Sequence, residues 1–283
     1  KPKAFSDLVR ISGLSHGTNV WLGNAQDLIM SGVATISTAI CTRDDIMLYL
    51  IQMGVESEKS FKIMEAVRKG MVAKGRCAMW EEWKEDMLAH NVPQWYIESC
   101  QKIEYMFPKA HAAAYVMMAW RIAYCKIHYP LAYYGAFFSI RASAFSYEMM
   151  CFGKEKVLYH INMIQSIDKN KRTAKDEDKL KDLKLVLEMY ARGFEFMPID
   201  IYVADDIRFQ VIDGKIMPSL ASIEGMGEKA AKQLKDAAGK GKFISKEDLQ
   251  AHSKIGKSAI DKLSELGILD GMPDTNQLTF DFV

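Results

Sequence analysis

The sequence has no apolar run as long as the roughly 18 residues that a membrane-spanning helix needs. It begins KPKAF, without the basic and then apolar start of a secretory signal peptide. We therefore expect no membrane partner and a cytoplasmic location. That first segment also contains no methionine, so we expect the chain to be a fragment of a longer protein.

Cysteines are few and widely separated, with no C-x2-C pair of the kind that binds zinc. The chain has five of them: Cys41, Cys77, Cys100, Cys125 and Cys151. We expect reduced thiols that pack in the core. The formal net charge is only +1, so any binding of nucleic acid has to come from local basic patches.

Motifs of the common catalytic centres are also absent. There is no Walker loop, no G-x-S-x-G and no H-E-x-x-H. The acidic pairs Asp44-Asp45 and Asp205-Asp206 make poor two-metal sites, because neighbouring side chains on a strand point to opposite faces. The sequence predicts neither a catalytic centre nor a metal site in this chain.

Helical spacing is what the sequence does contain. Apolar residues recur every three or four positions in short segments between residues 44 and 105, and again in a long segment from Pro108 to about His128. In that long segment we expect five large side chains to lie in the core: Met117, Met118, Trp120, Tyr124 and Ile127. The pattern predicts a mainly α fold.

The pattern changes in the second half of the chain. Residues 166–182 are mixed in charge and predict a solvated linker that passes into an exposed helix, although DNA contact is the alternative for three cations. These are Lys169, Lys171 and Arg172. Short alternating runs over 194–217, with Asp213-Gly214 as a turn, predict a small β element. From Ser219 the helical pattern returns.

The stretch FPKAHAAAY, Phe107 to Tyr115, places a lysine and a histidine in the first turn of the long helix. Pro108 suits a helix start, where free N–H groups and the positive end of the helix dipole favour an anion such as phosphate. Lys109 and His111 are therefore candidate phosphate ligands. The alternative is a solvated lysine and a half-buried histidine. Arg43 and the pair Arg68-Lys69 supply further cations, or are simply surface charges.

The segment Ile223–Leu234 has the h-x-G-x-G-x-x-A-x-x-x-h spacing of a helix-hairpin-helix. Glycines let such a hairpin approach a DNA phosphate closely, and the N-terminus of the next helix points its N–H groups at it. The predicted DNA-binding residues are Gly225, Met226, Gly227 and Lys229. A plain pair of packed helices is the alternative.

A second copy follows at His252–Leu263, in which Lys254 takes the place of the first glycine. It either binds DNA through Lys254, Gly256, Lys257 and Ser258 or only braces the first copy. The chain finishes NQLTFDFV, and exposed aromatics at a chain end are typical of a segment that enters a partner's pocket. A tail that folds back on its own domain is the alternative.

Five segments, together with the hairpin and tail segments, resemble the C-terminal part of the PolC-type bacterial DNA polymerase III alpha subunits of family C. The five are LVRISGLSHGTNVWLGNAQ, TRDDIMLYL, FKIMEAVRKG, YMFPKAHAAAYV and KIHYPLAYY. The resemblance implies a helical fingers subdomain over 1–165 completed by 166–193, a small β element at 194–217, and a tandem helix-hairpin-helix domain at 218–272 that grips the duplex. A clamp-binding tail would occupy 273–283. Residues Gly75–Trp83 are longer than the family pattern and suggest a surface loop.

The resemblance also implies roles for individual residues. The triphosphate of an incoming dNTP would lie near Lys109, His111, Arg43, Arg68 and Lys69. Tyr105 would lie by the nascent base pair, and Ser12, Ser15 and His16 would border the pocket. Gln277, Leu278, Phe280 and Phe282 would bind the β sliding clamp, although QLTFDF departs from the usual Gln-Leu-Ser-Leu-Phe end.

In the family, the catalytic aspartates and their Mg²⁺ belong to a palm that lies upstream of this region. The partners implied are primer–template DNA, dNTP, the β sliding clamp and the remainder of the polymerase chain. The chain alone would bind DNA but not polymerise. A stand-alone adaptor that tethers DNA to the clamp without binding nucleotide is the alternative function.

Overall fold

The computed structural model describes residues 2–276. Within that range the chain is mainly α-helical, with one two-stranded sheet, as the sequence predicted. The helices are α1 (Phe5–His16), α2 (Gln26–Met30), α3 (Arg43–Gln52), α4 (Ser57–Arg68), α5 (Trp80–Ala89), α6 (Gln94–Lys102), α7 (Lys109–His128), α8 (Pro130–Ile140), α9 (Tyr147–Met150), α10 (Lys154–Gln165), α11 (Ala174–Ala191), α12 (Glu228–Ala238), α13 (Lys246–Ser253) and α14 (Lys257–Glu265).

The chain divides into two compact units within α7, one ending at Ile122 and the other beginning at Ala123. In the first unit α3 packs closely against α4. Ile46 and Leu50 of α3 and Ile63 and Val67 of α4 are fully buried, which follows from their spacing of four residues. These side chains form one core with residues of α5 and α6.

The loop expected at Gly75–Trp83 is only partly a surface loop. Helix α5 begins at Trp80, and the side chains of Trp80 and Trp83 are buried in the core of the first unit. Burial of a large aromatic side chain removes much apolar surface from water, which favours the core over an exposed position in a short loop. Before α5 the segment is exposed except for Cys77, which is half-buried, and within α5 only Glu81 and Glu82 of this segment are exposed.

The second unit contains two cores. One holds the apolar faces of α8, α10 and α11, including Tyr134, Val157 and Val186. The other holds the segment after Ile223 and the three helices α12, α13 and α14, including Leu234 and Leu263.

The predicted turn at Asp213-Gly214 joins the two strands, β1 (Gln210–Ile212) and β2 (Lys215–Met217), which pair antiparallel. Both turn residues have positive φ, 46° and 76°, as a type I′ turn requires. The alternating run Ile199–Val203 forms no strand. Instead, Ile199 and Ile201 pack in the core that holds α12, α13 and α14.

Helix α7 differs from the expectation that it lies in the core. Of its residues, only Ala112 is buried among those described, while Met118, Trp120 and Ile127 are 63%, 55% and 66% exposed. The helix is apolar on all sides, which is why the sequence suggested burial. No helix of the described range is long and apolar enough to cross a membrane.

Candidate functional site

The N-terminus of α7 holds a carboxylate of the chain itself. The backbone N–H of Lys109 donates to Oδ2 of Asp44 at 2.7 Å, and Lys109 Nζ lies 3.3 Å from Oδ1 of Asp45. Pro108 directly precedes the helix and its carbonyl accepts from Ala112. The helix end therefore holds an anion, the Asp44 carboxylate, and one of its N–H groups already has a partner.

The same acidic pair fixes the start of α3. Asp45 Oδ2 accepts from the backbone N–H of Thr42 at 2.8 Å and of Cys41 at 3.2 Å, which caps the helix. Arg43, the first residue of α3, donates its own N–H to the carbonyl of Phe107 at 3.3 Å. This backbone bond brings Arg43 close to the start of α7. The Arg43 Nε is buried with no hydrogen-bond partner among the described residues.

Three of the predicted cations gather around one carboxylate at the end of α4. Glu65 is bonded to Arg68, whose Nη2 lies 2.7 Å from Oε2, and it also pairs with Lys69 at 3.0 Å and Arg43 at 3.9 Å. The Arg68 hydrogen bond, helped by Lys69, lowers the pKa of Glu65 to about 2. Arg43 also lies 4.0 Å from Asp44, so two carboxylates face the three cations, and one positive charge remains for a further anion.

A glycine brings this cation cluster next to Tyr105. Gly70, just beyond α4, has a φ of 67°, and a Cβ at this position would lie 2.5 Å from the carbonyl oxygen of Glu104. Only glycine allows both the conformation and this approach. Tyr105 is held by backbone pairing with Thr18, and its side chain is partly exposed.

Two predicted histidines lie next to Phe107. The ring centroids of His16 and Phe107 are 5.0 Å apart, and those of Phe107 and His111 are 6.0 Å apart. Both histidines are exposed. His16 therefore joins His111 beside the start of α7.

Ser12 and Ser15 are not joined to the cations by any hydrogen bond within residues 2–276. The Ser15 hydroxyl donates to the carbonyl of Ser12 at 2.9 Å. Ser15 also lines an apolar cavity of about 410 Å³ with Leu14 and Trp21.

Sequence reasoning missed the residues that organise this cluster: Asp44, Asp45, Glu65 and Phe107. We had considered Asp44-Asp45 only as a metal pair. The signals were local, since Asp45 stands three residues after Thr42 in a capping-box pattern. Glu65 stands three and four residues before Arg68 and Lys69, where side chains on a helix meet.

The two hairpins share one backbone conformation. Gly225 has a φ of 86° and Gly227 has φ and ψ of −69° and 157°. In the second copy Lys254 has a φ of 58° and Gly256 has −67° and 153°. Lys254 thus adopts the left-handed conformation that the glycine has in the first copy, and the second hairpin keeps its shape.

Most of the predicted DNA-binding residues are exposed on these hairpins. They are Gly225, Gly227, Lys229, Lys254, Gly256, Lys257 and Ser258. A Cβ at Gly225 or Gly227 would meet no atom of the described residues within 4 Å, so none of them fills the space beside these glycines. Met226 differs, because its side chain is buried in the core, and it serves to hold the hairpin in place. The predicted clamp-binding residues Gln277, Leu278, Phe280 and Phe282 lie outside the described residues.

Comparison with known families finds two matching regions in the chain. Residues 1–91 match the bacterial DNA polymerase III alpha subunit finger domain. Residues 193–278 match the helix-hairpin-helix motif. The class to which the chain is similar is thus a polymerase finger region followed by a helix-hairpin-helix region.

Individual relatives match nearly the whole chain. It is 47% identical over 279 residues to the DNA polymerase III PolC-type of Caldanaerobacter subterraneus subsp. tengcongensis. The matched region covers 99% of this chain and 19% of the relative. It is 50% identical over 281 residues to the DNA polymerase III PolC-type of Lactococcus lactis, covering 99% of this chain and 17% of the relative. The Streptococcus pyogenes protein of the same name is 47% identical over 279 residues. The chain spans about one fifth of the length of these relatives.

Proposed function

We propose that this chain is part of a PolC-type replicative DNA polymerase, in which the first unit binds the triphosphate of the incoming dNTP. The observation that carries the proposal is the gathering of Arg43, Arg68 and Lys69 around Glu65. Lys109 of α7 belongs to the same site because it pairs with Asp45, which caps the helix that Arg43 begins. Such fixed cations stabilise the charge that develops on a pyrophosphate leaving group.

The carboxylates beside these cations do not fit a metal site. Asp44 bonds to the N–H of Lys109, and Asp45 caps α3 and pairs with the side chain of Lys109. Within residues 2–276 no group of three or more potential metal ligands is present. We propose that the Mg²⁺ of the reaction is held by a palm in the remainder of the polymerase, and that this chain alone does not polymerise.

For the second unit we propose binding of the primer–template duplex through both hairpins. Their exposed glycines allow a phosphate to approach the backbone, and helices α12 and α14 begin directly after Gly227 and Gly256. Contacts of this kind hold the DNA backbone without reading its sequence. We also propose that the tail binds the β sliding clamp and that the protein acts in the cytoplasm.

Substitution of Lys109 or His111 by alanine tests the nucleotide site in the full-length polymerase. We expect either variant to raise the KM for dNTP by about tenfold, since a lost charge-assisted contact costs roughly 1.5–3 kcal/mol. Steady-state incorporation across a dNTP series measures this. As a control, Lys3→Ala removes an exposed cation that has no contact with the cluster.

The stand-alone adaptor makes the opposite prediction. If the chain only tethers DNA to the clamp, both variants leave the dNTP requirement unchanged. That result would contradict the proposed binding of the triphosphate. The affinity for primer–template DNA without dNTP should be unaltered on either hypothesis, because the hairpins lie in the other unit.

A further inference from the structure

A groove of about 460 Å³ adjoins the cation cluster, since Glu65 and Lys69 line it as well. Its other walls come from the exposed face of α4 and from the segment that leads into α5. Neither the nucleotide site nor the hairpins include the remaining residues of the groove, so its chemistry needs a separate explanation.

Large apolar side chains stand exposed in this groove. Phe61, Met71 and Met79 are 50%, 39% and 45% exposed, and the nearly buried Trp83 completes the apolar surface. Apolar side chains gathered in one depression, unlike those scattered singly over a surface, mark a place where a ligand or partner binds.

The groove also carries more positive than negative charge. Three cations line it, Lys62, Lys69 and Arg76, against the single carboxylate of Glu65. Lys62 and Lys69 are more than half exposed and pair with Glu58 and Glu65 at the surface. Surface pairs of this kind contribute little, so a phosphate can replace the carboxylate at small cost.

The chain holds these cations in place by a tight loop. The N–H of Met71 donates to the carbonyl of Ala66 at 3.0 Å, and the N–H of Arg76 donates to that of Met71 at 2.8 Å. Gly70 and Gly75 take positive φ in this loop. Met71 and Arg76 are thereby fixed next to the end of α4.

We propose that this groove binds an unpaired stretch of the DNA strand, with bases against Phe61, Met71 and Met79 and phosphates at Lys62, Lys69 and Arg76. An apolar and aromatic floor beside a row of cations is the chemistry that binds single strands without sequence preference. Lys69 belongs both to the groove and to the proposed nucleotide site. The bound strand is therefore the template, in the stretch that is unpaired next to the incoming nucleotide. That last assignment rests on the proposed polymerase function.

A protein partner fits the groove less well. Lysine is depleted in protein–protein interfaces relative to the rest of the surface, whereas two of the three cations that line this groove are lysines. Single-stranded nucleic acid uses both features at once.

Binding of single-stranded oligothymidylate to the whole chain, across a salt series, tests the groove. We expect Phe61→Ala to weaken binding about tenfold, since one stacked base is worth roughly 1–3 kcal/mol. Arg76→Ala should lower the slope of log affinity against log salt by about 0.7, the value for one phosphate contact on a single strand. Both residues are exposed, so circular dichroism should show an unchanged fold.

The matched controls are Leu88→Ala and Lys84→Ala on α5, an exposed apolar residue and a cation that do not line the groove. Oligonucleotide affinity and salt slope that stay unchanged in both groove variants would overturn the proposal. If Lys109→Ala leaves the dNTP requirement unchanged while Phe61→Ala still weakens oligonucleotide binding, the nucleotide site fails and the groove stands.

Alkylation of Cys77, which also lines the groove, separates DNA from a protein occupant. In the full-length polymerase with exposed Cys125 replaced by serine, a primer–template with a 5′ single-stranded overhang should slow the alkylation at least threefold, and a blunt duplex should not. A Cys77 already protected without DNA would mean that another part of the polymerase fills the groove, which would contradict the proposal.

Discussion

Lys254 occupies the place of the first glycine in the second hairpin and adopts that glycine's backbone conformation, with a φ of 58°. A residue with a Cβ pays roughly 1–2 kcal/mol for the left-handed region. The chain keeps this strained residue at an exposed position on a hairpin that has the geometry of a phosphate-binding turn. We infer that the Lys254 side chain contributes to DNA affinity, and that this contribution offsets the loss of folding stability caused by its left-handed conformation.

Replacement of Lys254 by glycine should therefore separate the two effects. We expect the free energy of unfolding to rise by about 0.5–1 kcal/mol, because the left-handed strain at the end of α13 is removed. Affinity for primer–template DNA should fall, and its salt slope should decrease by about 0.9 for the lost phosphate contact. Urea unfolding and a fluorescence titration measure the two quantities.

The alanine variant of Lys254 is the matched control. It loses the same cation but keeps a Cβ in the left-handed region, so it should weaken DNA binding equally without any gain in stability. An unchanged salt slope in both variants would show that Lys254 makes no phosphate contact.

At the scale of elements, the short helix α9 belongs to both cores of the second unit. Tyr147 packs with the hairpin helices and Met150 packs with α8, α10 and α11. Between them, the Glu148 carboxylate accepts from the backbone N–H of Glu224 in the first hairpin at 3.1 and 3.2 Å. It also lies 3.7 Å from Nζ of Lys262 on α14. One carboxylate therefore joins α9 to both hairpins.

Truncation of Glu148 to alanine should destabilise the second unit by about 1–2 kcal/mol, because it removes a charge-assisted bond to Glu224 and one of the two carboxylates that pair with Lys262, the other being Glu265. Glutamine keeps an acceptor oxygen for the N–H of Glu224 and should cost less than half as much. Calorimetric unfolding of the two variants measures this. Alanine at Glu85, an exposed residue of α5, should change stability by less than about 0.5 kcal/mol. Equal costs for alanine and glutamine would contradict the assigned bond.

Local patterns predicted the elements better than they predicted their surroundings. The helix start after Pro108 and the turn at Asp213-Gly214 follow from backbone rules that act within a few residues, so the sequence could supply them. The exposure of Trp120 on α7 could not be predicted, because periodicity reports that a helix is apolar and not which parts of a protein cover it. The pairing of Arg43 with Glu65 joins two helices, and a single sequence carries no signal for such a contact.

At the scale of the whole molecule, the chain spans about one fifth of the length of its PolC-type relatives, and the binding sites that we propose fall in both compact units. The cation cluster and its groove lie in the first unit and the hairpins in the second. We therefore expect substitutions in the first unit to change the KM for dNTP and substitutions in the second unit to change the affinity for duplex DNA. Each set should have little effect on the quantity that the other set changes.

Deletion of residues 277–283 should remove the stimulation of synthesis by the sliding clamp and leave distributive synthesis intact, because none of the proposed nucleotide or duplex contacts lies there. Primer extension by the full-length polymerase, with and without clamp, measures both activities. Clamp stimulation that survives the deletion would show that the clamp binds elsewhere.

Asp44 has a consequence for the energetics of the nucleotide site. Its carboxylate already bonds to the first N–H of α7, where a phosphate oxygen would bind. On the proposed function, nucleotide binding at this helix end would be an exchange of one anion for another, and the affinity would reflect only the difference between them. A carboxylate in that place would let the site keep its shape between successive nucleotides, while a triphosphate, with its greater charge, would displace it.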